Sequence, residues 1–210
     1  MVIIKRLLTG LALITIFSTL FFYAPSIYFS LLLTAIAFYI LCVEWPNLGS
    51  KRLSWMIIGI LYCGIPFAAL ILLNQSNTYR ILLPLLFGLV FAHDTGAYIF
   101  GRLFGKHKIA PNISPKKTWE GFIGGLITTN ALLFSYAWYH NKTISWYIFI
   151  IGIVITLCAT AGDLFESWLK RRAGVKDSGS ILPGHGGLLD RFDSVLPLAM
   201  LFYFLRTYLY

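Results

Sequence analysis

The sequence predicts an all-α, polytopic integral membrane protein, and three observations lead to this class. Apolar residues make up 58% of the 210 residues, charged residues make up only 12%, and the mean hydropathy is +0.77. Soluble domains usually carry about 25% charged residues. Apolar runs also recur at lengths that suit helices crossing a bilayer, which need about 20 residues each. Most of the chain is therefore expected to lie in lipid.

About seven transmembrane helices are predicted, each bounded by turn or charged residues. They cover residues 7–23, 25–43, 54–74, 81–100, 121–139, 145–163 and 194–209. The first follows Lys5 and Arg6 and shows no small-residue cleavage site, so it is interpreted as a retained helix rather than a signal peptide. Two polar connections are long, 101–120 and 164–193. Loops of this length in a compact protein are usually functional or disordered, and their mixed charge favours function.

The distribution of cations predicts the orientation in the membrane. If the N-terminus is cytoplasmic and the loops alternate, fourteen of the seventeen Lys and Arg residues lie on the cytoplasmic side. All eight acidic residues then lie in or beside cytoplasmic loops. The positive-inside rule favours this arrangement. The protein is therefore expected in the cell (inner) membrane, with its N-terminus in the cytoplasm and its C-terminus on the opposite side. The net charge of +9 is accordingly assigned to anionic lipid and topology, and no nucleic-acid partner is expected.

Cysteine and histidine residues show no ligand spacing. The three cysteines, Cys42, Cys63 and Cys158, fall in apolar runs and are interpreted as small buried residues. The histidines His93, His107 and His140 are interpreted as surface or packing residues. Neither residue type predicts a metal or redox motif.

Carboxylates beside the membrane are the first candidates for chemistry. Asp94 and Asp163 lie in or at the end of apolar runs, where an ionisable group is a functional hypothesis by default. Asp190 and Asp193 are three residues apart and share one face if the last helix begins near Leu188. Together with Asp163 they suit a hard cation such as Mg²⁺. The alternatives are snorkelling or capping acids, with one paired to Arg191.

Cations and glycines surround these acids. The runs "KRRAGVK" (170–176) and "PKK" (115–117) alternate with hydroxyl and acidic side chains, which suits phosphate binding by Lys and Arg. Their alternative role is as topology signals. The glycines of "PGHGG" (183–187) would let phosphate approach backbone N–H groups. His185 is either an acid, base or phosphate donor, or a structural loop residue. Ordinary nucleotide-binding motifs are lacking.

Residues 167–193, "SWLKRRAGVKDSGSILPGHGGLLDRFD", resemble the signature of CDP-diacylglycerol synthases, also called phosphatidate cytidylyltransferases. A second block, "DTGAYIFGRLFGKHKIAPNISPKKTWEGFIGG" (94–125), is also similar to this family. The resemblance covers roughly the C-terminal 120 residues. It implies a transferase of phospholipid biosynthesis that joins CTP and phosphatidic acid into CDP-diacylglycerol and pyrophosphate. It also implies residues 1–80 as N-terminal helices and 81–210 as the catalytic region.

The resemblance further assigns roles to individual residues. It implies Mg²⁺ held by Asp163, Asp190 and Asp193, with a monovalent cation such as K⁺ as an optional second ion. The implied catalytic residues are Asp163, Ser167, Lys170, His185, Asp190 and Asp193. The implied substrate-binding residues are Asp94, Ser114, Lys117, Thr118, Glu120, Lys170, Arg171, Lys176, Asp177, Gly186, Gly187 and Arg191. A homodimer is left open.

Three alternative functions remain to be weighed. A CDP-alcohol phosphotransferase needs D-G-x-x-A-R followed by G-x-x-x-D-x-x-x-D, and the D-R-F-D spacing here speaks against it. A CTP-dependent enzyme acting on another membrane lipid is closer. A cation-coupled transporter should show internal repeats with broken helices, and the sequence shows none.

Overall fold

The computed structural model describes residues 2–50, 52–140, 146–182 and 186–209, with side chains described from residue 9 onward. The helices are α1 (Val2–Phe22), α2 (Ser26–Asn47), α3 (Leu53–Gln75), α4 (Leu82–Phe104), α5 (Trp119–Tyr139), α6 (Trp146–Arg172), α7 (Leu189–Phe192) and α8 (Val195–Leu209). A small antiparallel hairpin joins α4 to α5 and consists of β1 (Lys108–Ala110) and β2 (Ser114–Thr118).

The helical membrane class is confirmed, but the number of crossings is not. Each of the seven predicted segments coincides with a helix. Among the described residues, four helices are long and apolar enough to cross a membrane: α2, α3, α4 and α6. Apolar helices over Thr9–Phe22 and Val195–Leu209 are shorter. The 21-residue α5 carries Glu120 and Asn130, which lower its mean hydropathy.

Two predicted loops contain more regular structure than expected. Helix α4 continues to Phe104, and the rest of the 101–120 loop holds the β-hairpin, which adds two short strands to a predominantly helical chain. Helix α6 continues to Arg172, which places the first part of the 164–193 loop on a helix. The reason is that hydropathy reports the lipid-buried length, whereas a helix continues as long as its backbone bonds and packing allow.

The segment that carries Asp190 and Asp193 is not continuous with the last predicted helix, 194–209. Instead of one helix from about Leu188, the structure has the short α7 and then α8, which begins at Val195. Asp190 lies inside α7, and Asp193 follows it with helical φ and ψ angles of −50° and −47°. The two carboxylates therefore keep a helical spacing of three, although a break separates them from the apolar helix.

The chain divides into two compact units, which are described separately. The terminal unit comprises residues 1–83 and 169–210, and the central unit comprises 84–168. The first boundary lies near the predicted division at residue 80. Residues 169–210, however, cluster with the N-terminal helices, because α8 packs against α3. The assignment of 81–210 as the catalytic region stays a prediction.

The terminal unit is built around α2 and α3, each of which contains a π-helical segment. These segments are Ile40–Glu44 and Ile60–Gly64, and they contact each other. Just beyond, Trp45 and Trp55 stack with centroids 4.9 Å apart. Each indole Nε1 donates to the other residue's carbonyl oxygen, at 2.8 and 3.0 Å. This reciprocal contact holds the last residues of α2, which follow Glu44, against α3.

The central unit packs α4 closely on α5 through glycines. A Cβ at Gly96 would lie 2.6 Å from the Gly124 carbonyl oxygen, and one at Gly125 would lie 2.5 Å from Nδ1 of His93. Small residues let membrane helices approach to backbone contact. The hairpin is joined to α5 by Thr118, whose Oγ1 accepts from the Gly121 N–H at 3.1 Å as an N-cap.

Candidate active site

The central unit contains a cavity of about 320 Å³ where α4, α5, α6 and the hairpin meet. Five predicted site residues line it: Asp94, Ser114, Lys117, Thr118 and Asp163. They come from three separate elements, α4, β2 and α6, so the fold brings four residues of the 94–125 block together with Asp163, which lies outside that block. Ser167, one turn after Asp163 on α6, donates to Asp163 Oδ1 at 3.3 Å.

An ion pair forms one wall of this cavity. Lys117 Nζ lies 2.6 Å from Asp163 Oδ2, and the two side chains are 21% and 34% exposed. Among the described residues, Nζ makes no aligned hydrogen bond beyond this contact. An ammonium group carries three donors. Lys117 therefore keeps N–H groups that can donate hydrogen bonds to an anionic ligand in the cavity.

His93 lines the same cavity, although its sequence position predicted only a packing or surface role. The imidazole is 5% exposed, and its Nε2 lies 3.3 Å from Thr160 Oγ1 on α6. Its position next to Asp94 in an apolar run was the available signal. A polar side chain buried in a membrane helix is costly, so a histidine there merited the same attention as the aspartate.

Glu120 has a different place from the one predicted, because it is not among the residues that line the cavity. Its carboxylate accepts the backbone N–H groups of Lys106 and His107, and its Oε1 lies 2.6 Å from His107 Nδ1. Its own backbone N–H and then His107 lower the pKa of Glu120 to about 2. The residue therefore joins the chain entering the hairpin to the start of α5.

Asp190 is the centre of a second cluster, which lies in the terminal unit. Lys170 Nζ donates to Oδ1 at 2.6 Å. Oδ2 accepts the N–H of Ser178 at 2.9 Å, its hydroxyl at 3.0 Å and the Gly187 N–H at 2.8 Å. The Asp190 side chain is 5% exposed. Gly186 has a φ of 81°, and a Cβ there would lie 2.7 Å from Oδ2, so glycine is required beside this carboxylate.

The other predicted residues of the terminal unit are more open. Asp193 is half-buried, and its Oδ1 accepts the N–H of Ser194 at 2.7 Å. The exposed Arg171 donates to the Val175 carbonyl oxygen at 3.3 Å. Lys176, Asp177 and Arg191 are exposed. His185 lies outside the described residues. The Gly187 N–H is engaged by Asp190, and the phosphate-binding role expected for this glycine-rich stretch stays a prediction.

Glu44 is a residue of the terminal unit that the sequence did not single out. Its fully buried carboxylate accepts the backbone N–H groups of Leu188 and Leu189, both at 2.8 Å. These bonds tie the end of α2 directly to the start of α7.

Each unit contains carboxylate oxygens that suit a hard cation, but the described residues do not form a preassembled metal-binding cluster. Within the described ranges, no group of three or more His, Cys, Asp or Glu side chains is arranged to hold a metal ion. Asp163 and Asp190 each have a lysine ammonium at 2.6 Å. A position beside each carboxylate therefore already accommodates positive charge. Carboxylate oxygens next to such positions fit the chemistry of Mg²⁺.

Comparison with known proteins supplies the family. The model of the cytidylyltransferase family matches residues 8–209, nearly the whole chain. The chain belongs to this family. The match therefore includes residues 8–80, which the two sequence blocks did not reach.

Three relatives are each named phosphatidate cytidylyltransferase. The Rickettsia typhi protein is 36% identical over 211 residues, covering 97% of this chain and 92% of the relative. The Rickettsia prowazekii protein is 35% identical over 222 residues, with the same coverage of 97% and 92%. The Staphylococcus saprophyticus protein is 45% identical over 172 residues, covering 78% of this chain and 65% of the relative. The two Rickettsia proteins thus align with this chain along almost its full length.

Proposed function

We propose that the protein is a phosphatidate cytidylyltransferase, which transfers the cytidylyl group of CTP to phosphatidic acid and releases pyrophosphate. The observation that carries this proposal is the likeness to relatives of that name over 97% of this chain. The cavity of the central unit supports it independently, because it combines a lysine, carboxylates and hydroxyls in an apolar helical frame.

The reaction is an in-line displacement at phosphorus. An oxygen of the phosphatidate monoester forms a bond to the α-phosphorus of CTP, and the bond from that phosphorus to the bridging oxygen breaks. Pyrophosphate leaves with the electron pair. Both substrates are polyanions, so catalysis needs chiefly positioning and charge stabilisation. The lipid phosphate is itself the nucleophile, and no covalent enzyme intermediate is required.

In the central unit, Lys117 is assigned to bind phosphate oxygen. Its ammonium is held at the cavity wall by Asp163, which prevents the flexible side chain from turning into solvent. Ser114 and the hydroxyl of Thr118 offer further donors from the same strand. Asp94 and Asp163 keep the net charge of the cavity from becoming strongly positive, which favours release of an anionic product. We assign Ser167 to orient Asp163.

In the terminal unit, the exposed cations are assigned to the triphosphate and lipid headgroup. Arg171, Lys176 and Arg191 are exposed on or beyond the end of α6 and on α7. Lys170 is held by Asp190 and is 12% exposed, so its role is to fix that carboxylate as well as to contribute charge. Asp177, Gly186, Gly187 and His185 belong to the same segment and are assigned to the phosphate-binding loop.

Mg²⁺ is the proposed cofactor, with K⁺ as an optional second ion. Asp163, Asp190 and Asp193 would supply its carboxylate ligands. When bound, a divalent cation neutralises charge that develops on the departing pyrophosphate. The protein's own contribution is to hold these oxygens in place. Lys117 and Ser167 hold the carboxylate of Asp163. Lys170, Ser178 and Gly187 hold the carboxylate of Asp190.

We also propose that about seven helices span a bacterial inner membrane with the N-terminus in the cytoplasm. Support comes from the fourteen cations and eight acids that this topology places on one side. CTP is a cytoplasmic nucleotide, so its binding residues must face that compartment.

The test of this function is a reaction with defined lipids. Purified protein in detergent receives CTP and Mg²⁺ with one of three lipids: phosphatidic acid, a polyprenyl phosphate or an archaeal ether-lipid phosphate. We expect a CDP-lipid and pyrophosphate with phosphatidic acid and at least about tenfold less with the others. Product only from another lipid phosphate would overturn the assigned substrate, and no product from any of them would overturn the assigned reaction.

A further inference from the structure

Glu44 is a fully buried carboxylate that neither sequence block contains. It ends the π-helical segment Ile40–Glu44 of α2, and its exposed fraction is 0%. A buried charge is costly unless it is hydrogen-bonded or paired. Among the described residues, no Lys, Arg or His forms a salt bridge with it. Backbone and hydroxyl donors must therefore stabilise this charge.

Those donors come from the segment that leads into α7. Oε1 accepts the Leu188 N–H, and Oε2 accepts the Leu189 N–H, each at 2.8 Å. The Ser178 hydroxyl lies 3.1 Å from Oε2 and 3.0 Å from Asp190 Oδ2, and its single hydrogen is donated to one of these oxygens at a time. The first N–H groups of a helix have no partner within that helix. Glu44 supplies acceptors for them from α2, 144 residues away in the chain.

The space around Glu44 requires glycine on both sides. A Cβ at Gly179 would lie 2.6 Å from Oε1, and a Cβ at Gly187 would also lie 2.6 Å from it. A side chain at either position would push the carboxylate away from its donors. Two glycines of the family-like stretch therefore serve to admit Glu44, independently of any phosphate.

The carboxylates of Glu44 and Asp190 together accept hydrogen bonds from four backbone N–H groups. Asp190 accepts from Ser178 and Gly187, and Glu44 accepts from Leu188 and Leu189. This leaves the backbone that carries Asp190 and Asp193 with little freedom. Glu44 is the last residue of the π-helical segment of α2, and such segments are frequent at functional sites.

We propose that Glu44 is a positioning residue, whose buried carboxylate fixes the backbone of residues 186–193 and thereby sets the places of Asp190 and Asp193. The inference about catalysis rests on the proposed function, whereas the inference about the backbone does not. Glu44 touches no reacting atom in this account and acts through the loop alone.

The experiment compares Glu44→Gln and Glu44→Asp with the control Asn74→Ala. Asn74 is 1% exposed in the same unit and donates to the Ser26 carbonyl at 2.7 Å and to Ser30 Oγ at 2.9 Å. Its substitution therefore also removes buried hydrogen bonds, but far along α3 from the loop. Hydrogen exchange of the peptide covering residues 186–193 is measured in detergent without substrate, together with the Mg²⁺ concentration for half-maximal turnover.

We expect Glu44→Gln to accelerate exchange of this peptide by at least about tenfold, because an amide group replaces one acceptor with a donor. The Mg²⁺ requirement should rise with it. Glu44→Asp retains both acceptors on a shorter side chain and should restore part of each effect. Asn74→Ala should leave both near the wild-type values. If Glu44→Gln does not accumulate as folded protein, Glu44→Asp alone carries the comparison.

Three outcomes decide the matter. Unchanged exchange in the Glu44 variants would overturn the positioning role whatever their activity. Faster exchange with an unchanged Mg²⁺ requirement and turnover would overturn the link between Glu44 and the site. A wild-type protein without cytidylyl transfer would contradict the proposed function, while the exchange data would still support or overturn the backbone role.

Discussion

Lys117 and Asp163 lie in ion-pair contact, with Nζ 2.6 Å from Oδ2, on the wall of the cavity in the central unit. One residue ends the basic run of a β-hairpin, and the other lies near the polar end of α6. The pair brings together a cation suited to phosphate and an anion suited to metal. Each half is open to a direct test.

Replacing Lys117 with Met should reduce turnover by at least about 100-fold, because it removes a preorganised cation from a site of phosphate chemistry. Lys108→Met is the matched control, since Lys108 lies on the other strand, is exposed and does not line the cavity. Steady-state rates for both variants at saturating CTP check this. Similar rates for the two variants would remove Lys117 from the site.

Asp190→Asn and Asp193→Asn should differ in stability although both lose activity. Asp190→Asn removes the charge that Lys170 contacts in a mostly buried ion pair, and breaking a buried ion pair costs about 3–5 kcal/mol. Its Tm should fall by several degrees. Asp193 is half-buried, and its substitution should leave Tm nearly unchanged. Thermal unfolding in detergent measures the difference, and equal Tm values would show that Asp190 does not hold the loop.

The hairpin contact through Glu120 should weaken in acid. The pKa of Glu120 lies at about 2 in the folded protein, below its ordinary value of 4.5. Its contribution to stability is therefore complete above about pH 5 and is lost as the pH falls from 4.5 toward 2. The Tm difference between wild type and Glu120→Gln should shrink as the pH falls below 4.5. A difference that grows in acid would contradict the assigned contact.

Gly125→Ala should disturb the cavity, whereas Gly88→Ala should not. A methyl group at Gly125 would lie 2.5 Å from His93 Nδ1, whereas one at Gly88 would meet Leu132 at an ordinary 3.5 Å. Overpacking of this kind costs about 1–3 kcal/mol and shifts neighbouring side chains. Turnover and Tm should fall for Gly125→Ala only. Wild-type behaviour of Gly125→Ala would show that His93 has room to move without consequence.

The positions of the helices were largely predictable from the sequence, because apolar runs of membrane length have few alternative structures. The extension of α6 to Arg172 was not, since Leu169 and Glu166 are buried beyond the apolar run by tertiary packing. The hairpin was also missed. Its second strand reads "SPKKT", which lacks the alternation of apolar and polar residues that marks a strand.

The candidate site was predictable where it consists of polar residues in or near apolar runs. Asp94 and Asp163 were recognised in this way, and Lys117 was recognised from its basic run. The cavity brings the three together. Glu44 was not recognised, because its role depends on Leu188 and Leu189, which lie more than 140 residues away. No local pattern records such a contact. A single acid at the end of an apolar helix has the same appearance whether it faces water or a buried loop.

The fate of the CTP phosphates tests the central claim most directly. Purified protein, phosphatidic acid and Mg²⁺ are incubated with CTP labelled in parallel at the α- or the γ-phosphate. We expect the α-label to enter the lipid and the γ-label to enter pyrophosphate, in equal amounts. Label in orthophosphate and CDP, with none in the lipid, would contradict cytidylyl transfer.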